Sequence, residues 1–376
     1  MRRLLISIVI LLSFGCENST DSDPVSSLRD IQIFDAWIPH DRYVSLLSNR
    51  LSNEKVPVDI FIDGEKYSGT VEPQGAGSRY RVRWSFKLVL REGQTINGLH
   101  ESNLSAQVYD ASRLRTPLAT QAFATLGFPT VASRPFFLRI NGEPKGLYLQ
   151  IERLDEDYFL RHSMTVHELI KCGTGARFSY EGGLQLAQYF EKEIPKSVNL
   201  NDFGDFIHAL DAADPDRMYE QVSPHFNIDQ YLRYHALSSV LNHIDGFRNN
   251  LYFYRATPQA PYSIIPWDFD EVLHDAADVG LAGDNGIIRK LLQSDSCTAV
   301  YKRELWRALD FALADFAVDV LIDSCESRIA AAFQLDPWLG GADISLSDES
   351  NRLKTYLRSR KQFFRDSIAT ITRFPR

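Results

Sequence analysis

The sequence is poor in cysteine, in surplus positive charge and in long apolar runs, and each shortage closes off a class of protein. Four cysteines in 376 residues, with no C-x-x-C pair and no Cys/His spacing, give no basis for a zinc site. A formal charge of −8 leaves no broad basic face to release counterions from a nucleic acid, so no nucleic-acid partner is expected. Any anionic ligand must be held by a local basic pocket. Beyond residue 14 no apolar run is long enough to span a bilayer. There is no internal repeat, and no G-x-S-x-G, H-E-x-x-H or P-loop sequence to indicate those enzyme classes.

What is present begins with length. A chain of 376 residues is too long for one ordinary core, so two lobes are expected. Residues 1–16 read as a targeting segment: Arg2 and Arg3, then a short apolar run, then Ser13-Phe14-Gly15-Cys16. Gly before Cys is similar to a bacterial lipoprotein cleavage site with Cys16 as the lipidated residue; plain secretion with a free Cys16 is the alternative. Residues 17–29, rich in Ser and Asp and carrying Pro24, read as a flexible tether. The expected location is the bacterial cell envelope, as an exported, membrane-anchored lipoprotein, periplasmic or surface. In an oxidising compartment Cys297 and Cys325 are able to pair.

Residues 30–195 read as a β-rich lobe. Residues 30–47 suggest a strand and a short helix. Residues 56–62, Asp63-Gly64 and residues 66–71 make a strand, tight turn and strand. Gln74-Gly75-Ala76-Gly77-Ser78 breaks the pattern. A strand resumes over residues 83–90, with Trp84, Phe86 and Leu88 on one face and Lys87 on the other. A Gly-rich turn followed by a strand Lys is one way to cradle phosphates; a solvated face is the plainer reading of the same Lys. Asp110-Ala111-Ser112 suggests an N-cap for a helix over residues 113–126, ended by Gly127. Residues 134–140, Asn141-Gly142 and residues 146–151 form the clearest hairpin, leading into Glu152. Residues 196–376 read as a helical lobe, with helices over residues 202–212, 228–242, 298–333 (interrupted) and 346–372.

The chemistry is expected within residues 241–271. Two strand-like runs, residues 251–254 and 262–266, flank a turn with two prolines, so they read as a hairpin. Centred near Gln259, that hairpin sets Asn250 opposite Asp268, and an extended backbone points Asp270 the same way as Asp268. Asp245 lies just before. Three carboxylates and an amide suit a hard cation such as Mg²⁺. Turn and helix-cap residues of the same types are the structural alternative.

Taken in order, these pieces resemble the CotH-type (spore coat protein H) family of atypical protein kinases, over about residues 34–271. They are Gly75-Ala76-Gly77-Ser78-Arg79 ahead of Ser85-Phe86-Lys87; Asp110-Ala111-Ser112-Arg113-Leu114-Arg115; Asn141-Gly142-Glu143 with Gly146-Leu147-Tyr148 and Glu152; Asp245 with Asn250-Leu251-Tyr252-Phe253-Tyr254; and Pro266-Trp267-Asp268-Phe269-Asp270. The resemblance implies an α+β, two-lobed kinase-like fold, with a β-rich N-terminal lobe and a mainly helical C-terminal lobe around ATP and Mg²⁺ or Mn²⁺. It implies that Lys87 pairs the phosphates beside Gly75, Ser78 and Arg79, with Glu152 as partner of Lys87 or nucleotide contact. It makes Asp245 the proton acceptor, Asn250 and Asp268 metal ligands, and Asp270 a second metal contact. The implied acceptor is a Ser or Thr hydroxyl of a protein. Two features depart from the pattern. Glu72-Pro73-Gln74 stands where members often carry basic residues, leaving Arg79, Arg81 or Arg115 to compensate. Export also removes the chain from most ATP, so a catalytically inactive, kinase-like surface lipoprotein with a binding or structural role is the alternative. A carboxylate-pair glycoside hydrolase is a third reading, which leaves Lys87 and Asn250 without a role.

Overall fold

Strict alternation of inward and outward side chains builds the first half of the molecule. In β2 (Val56–Ile62), Val56, Val58, Ile60 and Ile62 are buried while the residues between them face out. The computed structural model describes residues 24–375 apart from 50, 76, 174, 177, 179–182, 275–277 and 340–343. Around β2 stand β1 (Gln32–Trp37), β3 (Glu65–Gln74), β4 (Ser85–Leu90), β5 (Glu101–Ser105), β6 (Ser133–Ile140) and β7 (Glu143–Glu152). They form a closed barrel in the order β1-β2-β3-β4-β5-β7-β6, sealed by the parallel pairing of β1 with β6. Closure removes the exposed edges an open sheet would carry. The two tight turns are Asp63-Gly64 and Asn141-Gly142, where both central residues have positive φ as the hairpin twist requires. The Asn141 side chain also accepts from the Ile38 N–H at 2.8 Å and donates to the Ile38 carbonyl at 3.0 Å, pinning the hairpin to the end of β1. Phe34, Val58, Leu88, Phe136 and Tyr148 fill the barrel.

Helix α1 (His40–Ser48) sits on the barrel. Helix α2 (Arg115–Thr125) leaves the barrel and packs into the helical core through Leu118 and Phe123. It starts two residues later than expected because Arg113 has φ +62, while the Asp110 carboxylate accepts from Ser112 N and Arg115 N at 3.0 Å each. The chain continues through α3 (Glu156–Arg161), β8 (Glu168–Cys172), α4 (Gly183–Tyr189), β9 (Phe190–Ile194), α5 (Asn201–Ala212), α6 (Met218–Val222) and α7 (Ile228–Val240). The expected hairpin is β10 (Leu251–Arg255) and β11 (Ser263–Pro266). Its sheet runs β11-β10-β8-β9, so strands from before residue 195 pair with the hairpin, and the expected division at 195/196 does not coincide with a sheet boundary. Helices α8 (Gly286–Leu291), α9 (Asp295–Arg307), α10 (Asp315–Gln334) and α11 (Leu346–Ser367) complete the lobe, with a π-turn at Ala308–Ala312 supplying the expected interruption.

Two features join the halves. Leu149 and Ile151 of β7 pack with Leu169, Tyr252 and Ile265 of the second sheet. Beyond α10, fully buried Asp336 pairs with Arg83 at 2.9 Å and accepts the Leu147 N–H of β7 at 2.8 Å.

Two expectations from the sequence change here. Residues 24–29, expected to belong to the tether, are part of the fold: Pro24–Ser27 forms a 3-10 turn, and Val25 and Leu28 are buried in the main core. Cys297 and Cys325 are free thiols, on α9 and α10; burial pushes the Cys297 thiol up to about 12. The targeting segment and Cys16 lie outside the described residues, among which no helix is long and apolar enough to cross a membrane.

Candidate active site

A cavity of about 350 Å³ lies at the seam of the two halves. The barrel contributes Gln74, Gly75, Gly77, Ser85 and Asn103; the helical lobe contributes Asp245, Asn250, Trp267, Asp268, Asp270 and Glu271. Gly75 needs its freedom, at φ +98, to turn the chain out of β3. A Cβ on Gly77 would meet the Tyr109 hydroxyl at 2.8 Å.

The floor is built by the segment after α7. The Asp245 carbonyl accepts from Arg248 N at 3.1 Å and Asn249 N at 2.9 Å, closing a short turn that delivers Asn250 to β10. Leu251 pairs with Pro266, and the Asn250 carbonyl accepts the Trp267 N–H at 3.2 Å. Asn250 therefore faces Trp267, one residue short of its expected partner Asp268. Asp268 has φ +57, so the extended run from Asp268 to Asp270 expected from the sequence does not form. Instead the Asp268 carbonyl turns inward and accepts from Asn250 Nδ2 at 3.3 Å and from His243 Nε2 at 3.0 Å. His243 is fully buried, and burial lowers its pKa to about 4, so the ring is neutral and its Nε2 carries the donated proton.

Charge on the floor is poorly balanced. The Asp268 carboxylate is open to the cavity yet deep in the molecule; desolvation first, then Asp245 and Glu271, push its pKa to about 6, with Lys171 opposing. Asp270 is raised well above the usual range by desolvation and by Asp268, with Arg115 opposing. Desolvation also raises Asp245 and Glu271, the former eased by a hydrogen bond from Asn249. Crowded carboxylates of this kind favour a cation. Among the described residues no three His, Cys, Asp or Glu side chains form a ready metal cage. Mg²⁺ needs none, because it keeps water and phosphate oxygens in its shell. With the Asn250 amide nitrogen engaged by Asp268, its oxygen is the atom left for a cation, so Asp268 and Asn250 fit such an ion.

Other expected residues fall differently. Lys87 does not line this cavity. It pairs with Glu101 at 3.0 Å in an adjoining recess shared with Arg153 and Asp155. Glu152 is not its partner, for a reason of register. Lys87, Asn103 and Ile151 form one cross-strand row, while Leu88, Ser102 and Glu152 form the next, on the opposite face of the barrel wall. Glu152 is buried against Arg161 at 3.0 Å and His162 at 3.2 Å. Arg79 also turns away: it donates to the Pro73 carbonyl at 2.6 Å and to Asn53 Oδ1 at 2.9 Å. Ser78 opens a short 3-10 turn, Ser78–Tyr80; its side chain and Ala76 lie outside the described residues. Sequence reasoning missed Glu101, which stands at the start of β5 with no motif to mark it. It also missed His243, Tyr109 and Glu271, whose only signal was closeness to Asp245, Asp110 and Asp270.

A barrel lobe and a helical lobe meeting over acidic residues, an Asn and a glycine turn define a two-lobed, kinase-like α+β protein. A family model described as CotH kinase protein matches residues 71–364, and the chain belongs to that family. It is 24% identical over 342 residues to the inner spore coat protein H of Bacillus subtilis (strain 168), covering 85% of this chain and 92% of that protein. Among solved structures, the Helicobacter pylori proinflammatory kinase CtkA aligns with a TM-score of 0.37 at 12% identity, over 84% of this chain and 93% of that one. The golgi casein kinase aligns at 0.31 and 11% identity, over 89% and 79%. Membership in a kinase family implies a nucleotide, a divalent cation and, as a class, a protein substrate.

Proposed function

We propose that the protein is a kinase that transfers the γ-phosphoryl of ATP, with Mg²⁺ or Mn²⁺, to a Ser or Thr hydroxyl of a protein, and that it works in the bacterial cell envelope, anchored through a lipid on Cys16. The observation that carries the reading is the meeting of Asp245, Asn250, Asp268 and Asp270 across from the glycine turn, at the seam of the lobes. A bound divalent cation would neutralise phosphate charge. Asp268 and Asn250 would hold it, with Asp270 behind. Asp245, its basicity raised by burial, takes the proton of the incoming hydroxyl as that oxygen bonds to phosphorus and ADP leaves. Asn249 orients the Asp245 carboxylate. The test is labelled-ATP transfer by purified protein with either metal beside Asp268→Ala; equal incorporation by both rejects the site.

One observation favours a second reading, a binding protein without turnover: no Lys or Arg side chain lines the cavity among the described residues. Thermal melting separates the two. On the kinase reading Mg²⁺-ATP raises the midpoint, as a ligand of the native state must. No shift at millimolar nucleotide favours the binding protein.

His243 gives a further check. His243→Ala removes one of two donors to the Asp268 carbonyl. We expect kcat to fall about ten- to a hundredfold with little change in nucleotide affinity, since positioning and not binding is lost. An unchanged kcat would show that Asn250 suffices to hold Asp268.

A further inference from the structure

We propose that Arg81 is the phosphate-contacting cation on the glycine-turn side of this cavity, an assignment that rests on the nucleotide reading above. The starting point is charge. Asp245, Asp268, Asp270 and Glu271 line the cavity, and no described Lys or Arg side chain stands among them. A triphosphate entering there needs a cation from the barrel side as well as a metal from the floor.

Few cations are placed to serve. Lys87 is held by Glu101 in the adjoining recess. Arg115 is buried and occupied: it lies 3.7 Å from the Asp110 carboxylate and donates to the Tyr109 carbonyl at 3.1 Å and the Asp270 carbonyl at 3.3 Å. Lys171 belongs to β8, opposite Tyr252, on the floor side. Arg81 differs on each count. It follows the glycine turn by four residues and its side chain is exposed. Its guanidinium lies over the Tyr109 ring, 5.3 Å from the centroid, and that ring lines the cavity. Stacking on an aromatic face leaves the in-plane N–H fork available for an oxyanion. Its backbone is fixed: the Trp84 indole N–H donates to the Arg81 carbonyl at 3.2 Å. The Tyr109 hydroxyl abuts Gly77, so the glycine turn, Tyr109 and Arg81 form one unit at the cavity rim. Arg81 is also near enough to Glu271 to oppose, after His274 and Arg115, the rise that desolvation and Asp245 give its pKa.

The test compares ligands with and without phosphates. Affinities of Mg²⁺-ATP and of adenosine are measured for wild type, Arg81→Ala, Arg81→Lys and Tyr109→Leu, by calorimetry and ligand-detected NMR. Arg81→Ala is expected to weaken Mg²⁺-ATP about ten- to a hundredfold and leave adenosine unchanged. Arg81→Lys recovers part of the loss, and Tyr109→Leu shows a smaller loss of the same kind. Equal weakening of ATP and adenosine, or unchanged ATP affinity in Arg81→Ala, overturns the assignment while leaving the nucleotide reading intact. Wild type that binds neither ligand overturns both.

Discussion

Asp268→Asn should lower phosphoryl transfer about a thousandfold or more, and should also raise the melting temperature of the metal-free protein. The first effect follows from the proposed role: an amide of the same shape keeps the packing but removes a negative oxygen from the cation shell, and phosphoryl transfer depends chiefly on positioning and charge neutralisation. The second follows from crowding. The Asp268 carboxyl is pushed up to about 6, so its ionised form is disfavoured in the folded state. For an acid raised on folding, stability falls as pH rises from the unfolded value near 4 to the folded value, and the whole penalty is present at pH 7. Solvent reaches this carboxylate, so the penalty is discounted to about 1 kcal/mol, equivalent to about 2 °C. Saturating Mg²⁺ or Mn²⁺ should raise the wild-type midpoint and leave that of Asp268→Asn nearly unmoved. Melting curves with metal and with chelator check this directly. A variant that melts lower than wild type without metal would show that Asp268 is structural.

Asp336→Ala should cost about 3–5 kcal/mol, because it strands the buried Arg83 guanidinium. The arrangement is tight. Arg83 also donates to the Leu147 carbonyl, Asp336 accepts the Leu147 and Trp338 N–H groups, and the Arg83 guanidinium lies over Tyr148. Burial first, and Arg83 beside it, push Arg113 down to about 10, so the pocket already holds two arginines against few anions. Adding Arg83→Met should recover much of the loss, since the stranded charge then disappears with its partner. Denaturant unfolding of the single and double variants gives the coupling. Additive losses would mean that the pair is not the source. Gly146→Ala offers an approach from the other side: its Cβ would enter the Asp336 carboxylate, on a residue at φ +95.

Much of the barrel was legible because a wall with one buried face imposes a period of two, and because Asp-Gly and Asn-Gly mark tight turns. The strands β8 and β9 were not. Glu168–Cys172 is buried on both faces, so it shows no alternation. The floor of the site was legible in composition but not in register. Nothing in the side chain of Asp268 announces a left-handed backbone; two donors from distant positions, His243 and Asn250, hold it there. The pairing of Lys87 with Glu152 failed because choosing between the two faces of the wall requires the register of β4, β5 and β7 together. Arg79 was placed at the phosphates by the family resemblance, yet the short 3-10 turn carries it back toward Pro73 and Asn53.

The seal between β1 and β6 has a consequence for biogenesis. Gln32 waits for Phe136, Ile33 for Phe137 and Ala36 for Ile140. While the chain emerges from a ribosome or a translocon, the first five strands are a ribbon with two raw borders, until the sixth strand, about a hundred residues after the first, arrives to close it. A nascent chain stalled in that interval is the species that a holding chaperone must cover.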